Sequence, residues 1–281
     1  PMINLQGKSI LVTGGGTGIG AGCAIYFASR GALVTISGRR ENRLREVADA
    51  IGPACKAIVG DITLAADRQA MVDAAIAHGG GRLDCLVNNA GGPTRGDVES
   101  FTRNDFVYAM DLLLGSVLVG IRCAAPIMRR QGRGAIINNS SVAALRTHMG
   151  GYLYSVAKAG VTRATQLAGM ELGRHGVTVN CISPGGIATP IFFGGSKAAS
   201  GLEKAEADAK LAKLTRNLAK ATPLHRSGLP HDIAAAAVFL ASDDGAYINC
   251  HDLVVDGGMV AGGRTNYELT PMQIEADATR A

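Results

Sequence analysis

The chain has 281 residues, of which 47% are hydrophobic and 18% are charged, so it can bury a large core and does not have the composition of a disordered protein. Its net charge of +5 comes from 28 basic and 23 acidic residues scattered along the chain, and it lacks Trp, so we expect no nucleic acid partner. The apolar stretch Val107–Met128 is interrupted by Asp111 and Arg122, so it predicts a long buried helix and no membrane insertion.

Seven short β-rich runs alternate with helical patterns, the order expected of βαβ units around a parallel sheet. The strands are predicted at Ser9–Thr13, Leu33–Ser37, Lys56–Val59, Leu83–Asn88, Ala135–Asn139, Val177–Ile182 and Leu253–Val255. The helices are predicted at Ile19–Arg30, Glu41–Ile51, Ala65–His78, Arg103–Arg130, Leu153–Arg174, Ala198–Ala221 and His231–Ser242. The fold class is therefore α/β, with residues 1–281 forming one doubly wound (Rossmann) domain whose parallel seven-stranded sheet has helices on both faces.

Two segments depart from this alternation. Residues 186–222 form an insertion after the sixth strand, where it would cover the carboxyl ends of the strands, so we predict a substrate lid there. Residues from about 261 onward are polar and aperiodic, and they predict a surface or subunit-contact tail.

The six cysteines lie far apart, without a C-x-x-C pair or a His at metal-ligand spacing. This spacing favours neither a metal site nor a disulfide framework, so we expect reduced thiols in the core. The first residues show no basic stretch followed by an apolar signal core, and we expect a cytoplasmic protein.

A glycine-rich segment, Thr13-Gly14-Gly15-Gly16-Thr17-Gly18-Ile19-Gly20, joins the first strand to the first helix. Glycine suits a turn this tight, and a Cβ would hold a diphosphate away from the amides at the helix N-terminus. An ordinary glycine-rich loop is the alternative. The position between a strand and a helix favours a dinucleotide site.

The spacing Gly14-x-x-x-Gly18-x-Gly20 resembles the glycine motif of the short-chain dehydrogenase/reductase family. The resemblance covers residues 5–260 and continues, in family order, through Asp61, Asn88-Asn89-Ala90-Gly91, Ser141, Tyr154-x-x-x-Lys158, Pro184-Gly185 and Asp256-Gly257-Gly258. It implies an oxidoreductase that exchanges hydride between a nicotinamide cofactor and a carbinol or carbonyl carbon.

Tyr154 and Lys158 are four residues apart on a predicted helix, so their side chains share one face. A nearby ammonium together with an oxidised nicotinamide ring would favour the phenolate and so lower the pKa of Tyr154. The resemblance implies that Tyr154 is the acid/base, that Ser141 holds the substrate oxygen, and that Lys158 also binds the nicotinamide ribose. Neighbouring Ser140 is expected to bond the backbone instead.

The resemblance also implies a set of cofactor contacts. Asp61 and Ile62 would meet the adenine, and Asn89 would either line the cleft or brace the strands beside it. The full predicted set is Gly14, Thr17, Gly18, Ile19, Gly20, Gly38, Arg39, Asp61, Ile62, Asn89, Ala90, Gly91, Tyr154, Lys158, Pro184, Gly185, Ile187 and Thr189.

The end of the second strand reads Ser37-Gly38-Arg39-Arg40, where an NAD site usually carries an acidic residue. Cations at a helix N-terminus oppose the macrodipole unless an anion is bound there, and a 2′-phosphate would be such an anion. We therefore favour NADP(H), with NAD(H) as the alternative. Thr17 stands where many NADP-dependent relatives carry a basic residue, which weakens the inference.

The expected substrate site is mostly apolar, which favours a hydrophobic, bulky or cyclic small molecule. Arg146 and Lys197 are the cations that would change this expectation if they faced the site. The binding residues proposed are Ser141, Val142, Tyr154, Gly186 and Phe192, and the further expected lining is Gly92, Pro93, Ala143, Leu145, Tyr152, Ile191 and Phe193.

Two other functions stay open. One is a cofactor-binding regulatory protein with impaired catalysis, because Leu113 stands where many family members carry an Asn in a water-linked proton path. The other is an enoyl-type reductase, although those enzymes generally space their Tyr and Lys more widely. The long helices resemble those through which family members pair, so we expect a homotetramer or, failing that, a homodimer.

Overall fold

The structure is a computed structural model that describes residues 3–189, 192 and 202–262. Its strands are β1 (Ser9–Thr13), β2 (Leu33–Gly38), β3 (Cys55–Val59), β4 (Cys85–Asn88), β5 (Gly134–Asn139), β6 (Val177–Pro184) and β7 (Asp252–Val255). They form one parallel sheet in the order β3-β2-β1-β4-β5-β6-β7. The predicted fold class is confirmed.

The helices of the described residues are α1 (Gly18–Ser29), α2 (Glu41–Ile51), α3 (Ala65–His78), α4 (Arg103–Met110), α5 (Ser116–Gln131), α6 (Tyr152–Gly173), α7 (Lys204–Ala221) and α8 (Pro230–Ala241), followed by a last turn at Met259–Gly262. The predictions for α2 and α3 match residue for residue. The helix predicted from Ala198 begins at Lys204, and residues 198–201 lie outside the described ones, as does the tail from residue 263.

Alternating side chains of each strand pack on opposite faces of the sheet. Ile10 and Val12 join the core with Phe27 of α1 and residues of α8, whereas Leu11 between them joins the core built by α3, α5 and α6. The chain reverses its strand order between β1 and β4. A crevice for ligands is expected at the carboxyl ends of these two strands.

The helix predicted over Arg103–Arg130 is wrong in one respect, because a π-helical turn at Asp111–Gly115 separates α4 from α5. The Ser116 hydroxyl donates to the carbonyl oxygen of Leu112 at 2.7 Å, which compensates part of the disrupted backbone bonding. By length and composition alone the whole stretch Arg103–Gln131 is long and apolar enough to cross a membrane. Its buried side chains, Leu113 and Met128 among them, belong to the core on one face of the sheet.

The cysteines are free thiols, and three of them are fully buried. Cys23, Cys85 and Cys181 are buried, whereas the other three are half-buried. Cys55 and Cys123 still pack against the two cores, so the expectation of core cysteines is wrong only for Cys250, which lies in the loop before β7.

Candidate active site

The glycine segment leaves room for a diphosphate at the N-terminus of α1. Gly14 and Gly18 have φ values of +67° and +56°, a backbone conformation that favours glycine. A Cβ on Gly20 would lie 2.2 Å from the Gly14 carbonyl oxygen and 2.5 Å from Nδ2 of Asn89, so a side chain there would displace the loop. This close-packed turn before a helix fits the diphosphate of a dinucleotide.

Hydrogen bonds tie together the ends of β1, β4 and β5 beside this loop. The Thr13 hydroxyl accepts from the backbone N–H groups of Asn89 and Ala90, at 3.0 and 3.1 Å. The Asn89 amide donates to the Thr13 carbonyl at 2.9 Å and accepts from the Asn139 amide at 2.9 Å. Asn89 therefore braces the strands, one of the two roles considered for it, and a direct cofactor contact stays a prediction.

Lys158 lies on α6 beneath the ends of these strands, with 4% of its surface exposed. Its Nζ donates to the Asn139 carbonyl oxygen at 2.6 Å and lies 5.7 Å from the ring centroid of Tyr154, so the two side chains share a helix face as predicted. Burial lowers the pKa of Lys158 to about 8. The ammonium is therefore still the major form at neutral pH.

Ser141 and Tyr154 meet directly through a side-chain hydrogen bond. Burial raises the pKa of Tyr154, and the bond with Ser141 offsets part of that rise. Desolvation dominates in the protein itself, where the Lys158 ammonium is engaged by Asn139, and the lowering expected from the ammonium together with an oxidised nicotinamide stays a prediction. Ser140 donates to the Lys158 carbonyl at 3.1 Å, so the prediction that it bonds the backbone is confirmed.

A cavity of about 440 Å³ opens at this edge of the sheet and brings together most of the predicted site residues. Those that line it are Thr17, Gly18, Ile19, Asn89, Ala90, Gly91, Ser141, Val142, Tyr154, Lys158, Pro184, Gly185, Gly186, Ile187, Thr189 and Phe192. Gly92 and Pro93 also line it, whereas Ala143, Leu145 and Tyr152 do not. The expected lining residues Ile191 and Phe193 lie outside the described residues.

Other predicted cofactor residues lie away from the cavity wall. Gly14 and Gly20 form the inner side of the phosphate loop. Gly38 ends β2, Arg39 follows it, and Asp61 comes two residues after β3. The Ile62 side chain is buried and faces a separate small cavity under the sheet. An adenine contact from Ile62 would therefore have to come from its backbone.

Arg39 already has an anion beside it, since its Nη1 lies 3.7 Å from Oδ2 of Asp61. Burial alone would raise the pKa of Asp61, but hydrogen bonds from Thr63 and the charge of Arg39 bring it below its ordinary value. Arg40 donates to the Thr17 hydroxyl at 3.4 Å. Both arginines therefore have partners within the protein, whereas the sequence analysis expected a bound anion to offset their charge.

Several cavity residues were not predicted from the sequence. Leu218 and Ala221 come from α7, within the segment predicted as a lid, and Met259 comes from the last described turn. Thr94 and His148 come from the loops after β4 and β5, where no motif marks them. The other residues that were not predicted to line it are Leu113, Asn139, Ser140, Met149, Gly150 and Gly151.

A family model described as enoyl-(acyl carrier protein) reductase matches residues 14–260. Together with the relatives below, this match shows that the chain belongs to the short-chain dehydrogenase/reductase family, whose members are NAD(P)-dependent oxidoreductases acting on CH–OH and C=O groups.

Two similar proteins are enzymes of plants. Momilactone A synthase of Oryza sativa subsp. japonica is 37% identical over 258 residues, which cover 91% of this chain and 90% of that protein. (+)-Borneol dehydrogenase 2 of Salvia officinalis is 34% identical over 272 residues, which cover 95% and 93%. The crystal structure of levodione reductase superposes with a TM-score of 0.80 and 29% identity, over 92% of this chain and 99% of that one.

Proposed function

We propose that the protein is an NADP(H)-dependent oxidoreductase that interconverts a secondary alcohol and a ketone on a hydrophobic small molecule. The observation that carries the proposal is the meeting of Ser141, Tyr154 and Lys158 at one cavity that also contains the exit of the phosphate loop. Two relatives are named for the dehydrogenation of borneol and the reduction of levodione, which supports this substrate class.

The reacting residues divide the work as follows. The bound nicotinamide supplies the hydride in reduction and accepts it in oxidation. Tyr154 donates its phenolic proton to the developing alkoxide in reduction and takes the carbinol proton in oxidation. Ser141 donates a hydrogen bond to the same oxygen, and Lys158 stabilises the phenolate that reduction leaves on Tyr154. The raised pKa of Tyr154 keeps the proton available for reduction at neutral pH.

NADP(H) is favoured because no carboxylate ends β2, where Gly38 stands, and Arg39 follows it. A 2′-phosphate would compete with Asp61 for Arg39, whose side chain is 62% exposed and free to turn. The exposed ion pair contributes little to stability, so exchanging it for a bound phosphate costs little. NAD(H) is the alternative.

The substrate is proposed to be uncharged. Arg146, the cation that would change this expectation, does not line the cavity, and its guanidinium donates to the carbonyl oxygens of Met259 and Val260 at 2.9 and 3.2 Å. Lys197 lies outside the described residues. We also keep the proposal of a substrate lid within residues 186–222, because two residues of that segment, Leu218 and Ala221, line the cavity.

We propose a homotetramer or, failing that, a homodimer, in which the outer faces of α4, α5 and α6 form the subunit contacts. These helices expose large apolar side chains, including Tyr108 at 48%, Leu118 at 48% and Met170 at 76%. A monomer mass in light scattering at micromolar concentration would contradict this. We also propose a cytoplasmic location, in keeping with six free thiols.

The test is a screen of the purified protein with NADPH and NADH against ketones, secondary alcohols and enoyl thioesters. We expect turnover with hydrophobic ketones or alcohols. Turnover of enoyl thioesters alone would favour an enoyl reductase, the activity in the description of the matching family. The spacing Tyr154-x-x-x-Lys158 argues against this outcome, because it is narrower than the Tyr–Lys spacing general in enoyl reductases. Cofactor binding without turnover of any substrate would favour a regulatory role.

A further inference from the structure

Two polar side chains on the cavity wall have no role in the reaction described above. Thr94 and His148 line the cavity, and neither side chain has a hydrogen-bond partner within the part of the chain that the structure describes. In contrast, the amides of Asn89 and Asn139 and the ammonium of Lys158 all donate to other protein groups. Thr94 and His148 are therefore available to a ligand.

Glycines place both residues near the reacting tyrosine. A Cβ on Gly150 would lie 2.9 Å from Cδ1 of Tyr154, so the loop that follows His148 passes directly against the Tyr154 ring. A Cβ on Gly151 would lie 3.8 Å from the Thr94 hydroxyl oxygen. Thr94 thus faces the same loop from the other side, and a substrate bound at Tyr154 lies within the same cavity as both polar groups.

The backbone of His148 is itself unusual. Its φ of +62° lies in the left-handed region, which only a few per cent of residues other than Gly adopt, with His, Asn and Asp the most frequent among them. Backbone conformations of this kind concentrate at ligand-binding sites, where the surrounding structure maintains them. The two glycines that follow make the loop compact enough to bring this residue to the cavity wall.

We propose that the substrate carries a second oxygen, a hydrogen-bond acceptor such as a second ketone or a lactone carbonyl, and that His148 and Thr94 bind it. This inference rests on the proposed function. An imidazole N–H and a hydroxyl both donate, and other polar groups of the wall, the amides of Asn89 and Asn139 among them, are already hydrogen-bonded within the protein. The second contact fixes how the substrate is presented to Tyr154, so the substrate class narrows to ketones or alcohols that carry a second oxygen acceptor.

The test compares kcat/KM for cyclohexanone and cyclohexane-1,4-dione, and for a two-ring pair that likewise differs by one carbonyl. The variants are His148→Gly and His148→Asn, both of which tolerate a left-handed backbone, together with Thr94→Val and Thr94→Ser. The ratio of dione to monoketone within each variant is compared with that ratio in the wild type, which cancels the greater intrinsic reactivity of the dione.

We expect the ratio to fall about fivefold to tenfold in His148→Gly, the worth of one hydrogen bond, and to change by less than about threefold in His148→Asn, which can still donate. Thr94→Val should lower the ratio and Thr94→Ser should preserve it. A ratio that is unchanged in both His148→Gly and Thr94→Val would overturn the inference and leave the proposed function intact. If the wild-type protein reduces none of these ketones, the wider screen decides between the two claims. Turnover of other hydrophobic ketones or alcohols there would overturn the inference alone, and no turnover there would overturn the proposed function as well.

Discussion

The two ends of the proposed cofactor site are built differently. At the reacting end, Lys158 is 4% exposed and Ser141 is 8% exposed, and their neighbours Thr13 and Asn139 bond to main-chain or amide groups of adjacent strands. At the adenosine end, the side chain of Arg39 is 62% exposed and meets an acidic partner at 3.7 Å. Substitutions at the reacting end break buried hydrogen bonds to the backbone and are therefore costly. At the adenosine end, the ion pair is exposed and contributes little energy, so one substitution can change the cofactor preference.

The largest effect is expected for Tyr154→Phe. This change keeps the ring and removes the transferable proton, so turnover should fall by about 10²–10⁴-fold, the usual contribution of a positioned acid or base. Cofactor affinity, measured by fluorescence titration with NADPH, should stay unchanged. If the variant retains more than about a tenth of the wild-type turnover, Tyr154 is not the acid/base.

Thr13→Val should be the next most damaging change, although Thr13 touches no reacting atom. Valine has the same shape but leaves the N–H groups of Asn89 and Ala90 without their acceptor, which should lower the free energy of unfolding by about 2–4 kcal/mol. Thr13→Ser keeps the hydroxyl and serves as the control in chemical denaturation. A loss in Thr13→Ser without a loss in Thr13→Val would show that the methyl group, not the hydrogen bonds, matters.

Lys158 predicts a dependence of stability on pH. Burial lowers its pKa from 10.5 to about 8, so the folded protein binds fewer protons than the unfolded chain between those values. The cost of burying the ammonium is fully present below about pH 8 and is relieved as the pH rises toward 10.5. The Tm of the wild type should therefore rise relative to that of Lys158→Met over this range. A constant difference in Tm would show that the ammonium is not buried at a cost.

At the adenosine end, Arg39→Ala should weaken NADP(H) binding by roughly tenfold to a hundredfold and leave NAD(H) binding almost unchanged, since one charge-assisted hydrogen bond is lost. Gly38→Asp should shift preference toward NAD(H), because its carboxylate repels a 2′-phosphate. Calorimetric titration with both cofactors measures the two effects. Equal losses with both cofactors in Arg39→Ala would mean that the arginine has a structural role through Asp61.

The smallest change in turnover is expected for Leu113→Asn, which restores the residue that many family members carry. Leu113 is 1% exposed and lines the cavity, so an amide there should cost stability while turnover changes less than about tenfold. Steady-state kinetics and thermal unfolding give the two readings. A hundredfold gain in turnover would show that the natural chain is catalytically impaired and would favour the regulatory role.

The sequence predicts the sheet and the meeting of Ser141, Tyr154 and Lys158, because parallel strands present their carboxyl ends at one edge and residues four apart share a helix face. It does not predict the partner of Arg39, since Asp61 follows a different strand and their contact depends on how two surface loops fold. His148 was missed for a similar reason. His148 stands out through its positive φ and its place on the cavity wall, and no sequence pattern predicts either of them.

The π-helical turn at Asp111–Gly115 places one residue more in this helical stretch than an α-helix along the same path would hold. Before the turn, Ala109 is buried, and after it Gly120 lies so close to Asn88 that a Cβ would be 2.3 Å from the amide oxygen. Deleting one residue of the turn would let it relax to an ordinary α-helix with α4 and α5 facing nearly as before, so Gly120 would stay against Asn88. The deletion would instead move the residues of the turn, among them Leu113, which lines the cavity. The extra residue therefore shapes the cavity wall and not the packing of the two helices on the sheet.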